Sequence, residues 1–396
     1  MAAESPTSSP FVHLHVHSQY SLLESTVRVK QLCQRTQELG MPAVALTDSG
    51  NLFGAAEFYF TAKDFAVKPI IGIDAFIAPK TRFVKGEDRE AMQMPNRRIV
   101  LLAQNNEGYQ NLCKLSTIGY HEGFYYKPRL DWEAIREHSS SLIALSGGSM
   151  GEVGYAFSRQ GPEAALAKIR ELKEIFGDRF YLEINRTSTP EWTELSPFLI
   201  EASKITGVPL VAANNVHYLD QADQIGQEVL ICIGSNKTLH DESRFRLGSD
   251  QFYFKTPAEM AKLFKDIPEA LTRTLEIADR CDVKFKIKDE SGKSIYHLPY
   301  FTADDGTPPQ ELIRSTVMKG LQERFDEADK IESPIPAEKR SEYLERIEFE
   351  LGVIEKMGFT SYFLIVADFI NWAKNNEIPV GPGRGSGAGS LVAYCL

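Results

Sequence analysis

Between Phe11 and Asn215 seven short apolar runs recur, VHLHV, PAVALT, KPIIGI, RIVLLA, LIALS, FYLEI and PLVAAN, and this repetition constrains the fold more than any other feature of the chain. Between most of them lie amphipathic stretches such as VRVKQLCQRTQEL, AAEFYFTAKDFA, GYQNLCKLSTIG and PEAALAKIRELKEIFG, whose apolar residues recur at three and four residue spacing and predict helices. Continuously apolar strands that alternate with helices imply a parallel sheet covered by helices, doubly wound or closed into a barrel. In such folds chemistry gathers at the carboxyl ends of the strands.

The polar residues are placed accordingly. PAVALT runs into Asp48, KPIIGI into Asp74, and PLVAA into Asn214, Asn215 and His217. In the first run Val12, Leu14 and Val16 alternate with His13, His15 and His17, and a period of two predicts all three imidazoles on one face. On a central strand such a row is costly to bury unless it is hydrogen-bonded or bound to metal, so it points to a metal-type site.

Composition narrows the classes. The chain has 396 residues, enough for two or three domains at about 150 residues each. Its 44 Lys and Arg against 54 Asp and Glu give a net charge of −10, the opposite of a self-sufficient nucleic-acid binder. The five cysteines form no C-x-x-C pair and read as reduced thiols. No apolar run approaches the roughly 18 residues of a membrane span. Residues 1–10 lack a basic start and an apolar stretch and are expected to be a frayed tail, which predicts a cytoplasmic protein without membrane contact.

Beyond residue 215 helical patterns dominate. The stripe Leu344, Ile347, Leu351 and Ile354 is a packing face. The chain ends as helix (SYFLIVADFINWAKNN), strand (EIPV), glycine-rich turn (GPGRGSGAGS) and the start of a helix (LVAYCL). Glycines between a strand and a helix leave amides open to an anion, and Arg384 and Ser386 among them suit a triphosphate. The pattern is neither a Walker motif nor a strict G-x-G-x-x-G.

The segments FVHLHVHSQYSLL, GMPAVALTDSGNLFGAAEFY, KPIIGIDAFIAP, LLAQNNEGYQNLCKLS, LIALSGG, NNVHYL and RIEFELGVIEKMGFTSYFLIVADFINWAKNNEIPVGPGRGSGAGSLVAYCL appear in the order of one family. The chain resembles the N-terminal part of the catalytic alpha subunits of bacterial DNA polymerase III, the C-family polymerases. The resemblance implies a polymerase and histidinol phosphatase (PHP) domain over residues 11–283, a distorted seven-stranded (β/α)7 barrel. A mainly helical N-terminal part of the polymerase palm follows over 284–396. It further implies that Arg384, Gly385, Ser386 and Gly387 contact the phosphates of an incoming nucleotide. The polymerase's catalytic aspartates are expected beyond Leu396, so this chain alone is expected not to polymerise DNA. For the longer protein the implied cofactor is Mg²⁺, the implied substrates are primer-template DNA and dNTP, and the implied partners are a proofreading exonuclease subunit and other holoenzyme subunits.

Members of the family with an active barrel hold metals through nine residues. Here the resemblance carries five of them onto His15, His17, Glu24, Asp74 and His217, with Glu24 and Asp74 altered in length. Ser49, Arg98, Gly148 and Asn215 stand where a histidine, a histidine, a cysteine and an aspartate are expected. A cation left with so few ligands keeps its waters and binds weakly, and Arg98 places a permanent charge where the metal charge would sit. The expectation is a metal-free barrel, with Arg98 paired to Asp74 or Asp48, that acts as a scaffold stabilising the polymerase and docking the exonuclease. The alternative is a residual metal-dependent phosphoesterase or 3′ to 5′ exonuclease using His15, His17, Glu24, Asp74 and His217.

Overall fold

The computed structural model describes residues 11–396 apart from Lys293, Glu332, Ser333, Pro382 and Arg384. The tail expected over residues 1–10 lies outside the described residues. The chain divides into two compact units, Met1–Phe285 and Lys286–Leu396.

In the first unit, six of the seven apolar runs form strands: β1 (Ala43–Ser49), β2 (Lys68–Ile77), β3 (Arg97–Ala103), β5 (Leu142–Leu145), β6 (Phe180–Asn185) and β7 (Leu210–Ala213). A two-residue β4 (Arg129–Leu130) pairs with β2. The sheet runs β1-β2-β3-β5-β6-β7 and is curled and mixed, because β3 is antiparallel to both β2 and β5 while the other pairs are parallel. The purely parallel sheet expected from the sequence is thereby corrected. Only the five-residue helix Arg89–Gln93 lies between β2 and β3, too short to carry the chain back across the sheet, so β3 returns in the reverse direction. The amphipathic stretches form α1 (Val29–Glu38), α2 (Ala55–Asp64), α3 (Asn106–His121) and α4 (Pro162–Phe176), and α5 (Pro190–Thr206) and α6 (Pro268–Asp279) follow.

The first run, VHLHV, is extended but makes no regular ladder. It lies between β1 and the chain leaving β7: the Ala45 amide donates to the His13 carbonyl, and the His17 amide to the Val216 carbonyl, each at 2.9 Å. Two of its own amides are taken by side chains instead, Val12 by Thr274 Oγ1 at 3.1 Å and Val16 by Thr47 Oγ1 at 2.9 Å. The Thr47 amide reaches the Val16 carbonyl, so an advance of two residues along β1 (45 to 47) matches an advance of three along the segment (13 to 16), the one-residue excess of a β-bulge. This extra residue reverses the faces. Val12 and Leu14 join the inner core, and His13 leaves the other two histidines to pack on Phe11 and Phe254. The single row of three imidazoles is corrected to a pair, His15 and His17.

Strand alternation separates two cores. Val44 and Leu46 of β1, with Ile99 and Leu101 of β3, face the helices, whereas Ala43, Ala45, Val100 and Leu102 face inward. Inward positions are apolar low in the curl and polar at its upper rim. Ile70 is followed four residues later by Asp74, and Tyr181 two residues later by Glu183. Because β3 is reversed, its rim residue Arg98 comes near the start of the strand, ahead of the apolar Val100 and Leu102.

The second unit is helical: α7 (Pro309–Asp329), α8 (Ala337–Lys356), α9 (Thr360–Asn375) and the short α10 (Leu391–Cys395). Ile313, Val317, Leu321 and Phe325 recur at i, i+4 along α7 and bury against Ile347, Leu351 and Ile354 of α8 with Leu364, Val392 and Cys395. Leu344, expected in this stripe, is exposed. The strand expected at EIPV is absent among the described residues. Residues 377–380 are exposed coil, since a strand needs a neighbour to take its amides.

Candidate functional site

At the rim of the curl, β2 and β3 pair with Phe76 opposite Arg98 and Asp74 opposite Val100. Asp74 and Phe76 are two residues apart on one strand, so both share the face onto which Arg98 projects. The guanidinium lies 3.9 Å from the centre of the Phe76 ring, and its Nη1 donates to Asp74 Oδ2 at 2.8 Å and to Ser49 Oγ at 3.2 Å. Ser49 is there because the parallel register of β1 and β2 sets it beside Asp74. Glu24 completes the ring: one oxygen accepts from Lys127 Nζ and the other from Ser49 Oγ, both at 2.6 Å, with Arg98 Nη2 at 3.7 Å. Arg98 and Lys127, together with the Ser49 hydroxyl, overcome burial and bring the Glu24 carboxyl down to about 2.

The histidines enter from the first segment. His15 Nδ1 is 2.8 Å from Glu183 Oε1, and Asn185 Nδ2 donates to the same oxygen. Burial opposes a charge on His15, but Glu183 and Asp74 outweigh it and push the imidazole up to about 9. His17 Nε2 lies 3.2 Å from His15 Nε2 and 3.0 Å from Asn215 Oδ1, and its ring stacks on that of His217 at 4.3 Å. Burial, with the cationic neighbours His15 and Arg98 and the nearby His217 adding to it, holds His17 well below the ordinary histidine range. His217 is lowered to about 4, chiefly by burial. The inner rim therefore holds two neutral imidazoles and three closed pairs: His15 with Glu183, Arg98 with Asp74, and Lys127 with Glu24.

Asp48, a strand-end candidate, is not among these groups. Its oxygens accept from the Ser18 amide and hydroxyl and from the Ser21 hydroxyl, which fixes the turn after the first segment, and burial raises its carboxyl. Asn214 is likewise turned away, donating to the carbonyls of Gln251 and Tyr253. Gly148 has φ +61°, and a Cβ there would stand 2.9 Å from the Trp192 ring, so a side chain at this position would have to displace Trp192. Glu183 was not singled out by sequence reasoning. Its signal was present, a lone carboxylate inside the apolar run FYLEI, and it is fully buried. His15, His17, Asp74, Arg98 and Glu183 line a cavity of about 560 Å³ whose wall also includes the apolar Leu22, Leu23, Trp192 and Phe245.

Among the described residues, one set of side chains has metal-ligand spacing: His15, His17 and Asp74, whose ligand atoms lie within 4.8 Å of one another. Separations of 3.2 Å between the two Nε2 atoms, and of 3.6 and 3.7 Å from them to Asp74 Oδ2, are near the roughly 3.3 Å between ligands on a tetrahedral ion with bonds of about 2.0–2.1 Å. The spacing suits one ion, while the charges do not. Arg98 occupies the same Asp74 oxygen, Glu24 is engaged by Lys127 and Ser49, and Asn215 and Gly148 supply no anionic ligand. The residues present do not fit a multi-metal centre.

In the second unit Gly385, Ser386 and Gly387 lie in one exposed 3₁₀ turn, Gly385–Gly389. Arg384, the fourth residue of that expectation, lies outside the described residues. The turn is entered through Gly383 at φ +117° and Gly385 at φ +58°, conformations that side chains resist. No helix among the described residues is long and apolar enough to cross a membrane.

The PHP domain family matches residues 13–187, and the bacterial DNA polymerase III alpha NTPase domain family matches residues 311–396. Over 98% of its length the chain is 43% identical to the DNA polymerase III subunit alpha of Pseudomonas aeruginosa and 39% identical to that of Aquifex aeolicus. The chain joins a PHP domain to a bacterial DNA polymerase III alpha NTPase domain. It spans about a third of the length of these curated relatives, 32% and 33%. Among solved structures it is similar to an amidohydrolase from Chromobacterium violaceum, with a TM-score of 0.34 and 11% identity over 52% of this chain and 87% of the other.

Proposed function

We propose that the first unit is a PHP domain whose metal centre has been replaced by an internal ion pair, and that it serves as a scaffold within the alpha subunit of a replicative DNA polymerase. The observation that carries this reading is the Arg98 guanidinium bonded at 2.8 Å to the Asp74 oxygen that would otherwise bind metal. A fixed cation there supplies the positive charge that the carboxylates need and leaves the curled sheet intact without an ion. In this reading residues 11–283 form the PHP domain, which docks the proofreading exonuclease subunit, and 284–396 open the palm. The turn Gly385, Ser386 and Gly387, with Arg384, holds nucleotide phosphates. DNA-templated synthesis with Mg²⁺, dNTP and primer-template DNA, alongside the other holoenzyme subunits in the cytoplasm, belongs to a longer protein. The chain alone is inactive in polymerisation.

The convergence of His15, His17 and Asp74 favours a second reading, a residual metal-dependent phosphoesterase or 3′ to 5′ exonuclease. Elemental analysis for Zn, Mn and Fe on protein purified without chelator separates the two, with the His15→Ala, His17→Ala double variant as control. The scaffold reading expects less than a tenth of an equivalent in both proteins. One equivalent in the wild type that the double variant loses overturns it.

A further inference from the structure

The glycine-rich turn is exposed, yet its exit is held by one buried carboxylate that nothing so far has assigned. Glu350 lies in the middle of α8 with its side chain 10% exposed. Its Oε2 accepts from the Ser390 hydroxyl at 2.8 Å and from the Val392 amide at 3.0 Å, and its Oε1 accepts from Arg346 Nε at 2.6 Å. Ser390 is the residue that follows the turn: its amide donates back to the Gly387 carbonyl at 3.1 Å, and its hydroxyl accepts from the Ala393 amide at 3.2 Å. From the other side α7 closes on the same helix at Gly320, where a Cβ would stand 1.9 Å from the Cys395 carbonyl oxygen. The short α10 is thus held at its start by α8 and at its end by α7. Burial works against the charge of Glu350, but the Val392 amide, Arg346 and Ser390 keep its carboxyl below the usual range.

We propose that Glu350 is the positioning residue of the glycine-rich loop, fixing through Ser390 and Val392 the point at which the loop enters α10 so that its amides are presented to a phosphate chain in one arrangement. This rests on the reading of Gly385–Gly387 as a phosphate-binding turn. Glycine-rich backbone loses much conformational freedom when it orders around a ligand, and a tether at one end removes part of that loss before the ligand arrives. Glu350 does not touch the phosphates. A bare carboxylate close to them would repel them, and its three donors spread that charge over Arg346 and the helix start.

The test uses the full 396-residue chain, with inorganic triphosphate as the probe measured by calorimetry and amide hydrogen exchange at Val392 measured without ligand. Glu350→Ala is expected to speed Val392 exchange at least tenfold and to weaken triphosphate binding at least tenfold. Glu350→Gln, which still accepts from the Val392 amide, is expected to stay within about threefold of wild type in affinity. Ser390→Ala, which keeps the Val392 bond, should fall between them and serves if Glu350→Ala does not fold. Faster exchange with unchanged affinity in Glu350→Ala, or unchanged affinity in Ser390→Ala where the first variant is unfolded, overturns the positioning role alone. A wild-type chain that binds no triphosphate overturns the phosphate-turn reading and this inference with it.

Discussion

Replacing Arg98 by Met keeps a chain of similar length on the Phe76 ring and removes the charge. Two unit charges 2.8 Å apart attract by about 6 kcal/mol at an effective dielectric constant of about 20, before the cost of desolvating them. Removing one partner of a buried pair costs about 3–5 kcal/mol, because the other is left uncompensated. Arg98 is 18% exposed and Lys127 still serves Glu24, so the lower end applies, about 3 kcal/mol at neutral pH. Urea denaturation in a Trp372→Phe background, followed through Trp132 and Trp192 fluorescence, reads this loss in the first unit. With chelator present, Arg98→Met is expected to lose about 3 kcal/mol while the wild type is indifferent to chelator. With Zn²⁺ or Mn²⁺ at about 100 times its dissociation constant, the variant should recover about 2.7 kcal/mol, and the recovery should vanish when His15 and His17 are also replaced by Ala. A wild type stabilised by the ion as much as the variant would refute the idea that Arg98 stands in for the metal. A loss below about 1 kcal/mol with chelator would show that the pair does not hold the rim together.

Gly148→Cys, which restores a thiol to the rim, is expected to destabilise the unit by about 1–3 kcal/mol, from its positive φ and from the contact with Trp192, and to bind no additional metal by elemental analysis. A neutral effect on the urea midpoint would show that the pocket wall yields freely. Lys255 is buried with its ammonium over the Tyr253 ring, and burial lowers it from 10.5 to about 8. Between those values the unfolded chain binds the proton and the folded one does not, so stability should rise with pH across the window, by at most about 3 kcal/mol. Lys255→Met should abolish that rise, and identical pH profiles for both proteins would count against it.

The repetition of apolar runs was legible because both faces of these strands are buried, so the sequence carries a signal wherever β1, β2, β3, β5, β6 and β7 pass, whereas the two-residue β4 leaves none. Direction was not. Nothing in RIVLLA distinguishes a parallel strand from an antiparallel one, and the reversal of β3 follows from the lack of a helix long enough to cross between Ile77 and Arg97. Asp74 and His217 were found as strand-end residues and His15 and His17 from the alternation of the first run, since a polar group beside or within an apolar run is visible in one dimension, whereas Arg98 was marked only by the family resemblance. His13 and Asp48 show where this fails. A one-residue bulge sends His13 to the other face, and a local Ser18 and Ser21 network claims Asp48, neither of which leaves a periodic mark. Glu183 was hidden for the opposite reason: one carboxylate among four apolar or aromatic neighbours reads as a strand residue until His15 is placed against it.

The segment that carries His15 and His17 is synthesised well before the partners that fix it. The Val12 amide needs the hydroxyl of Thr274, 262 residues further on, and the His17 amide needs Val216. At roughly 5–20 residues per second a nascent chain leaves that first stave without its partner for about 10–50 s. For that interval the two histidines lack the late-arriving neighbours that bury them in the folded sheet, where Arg98 is seated on Asp74.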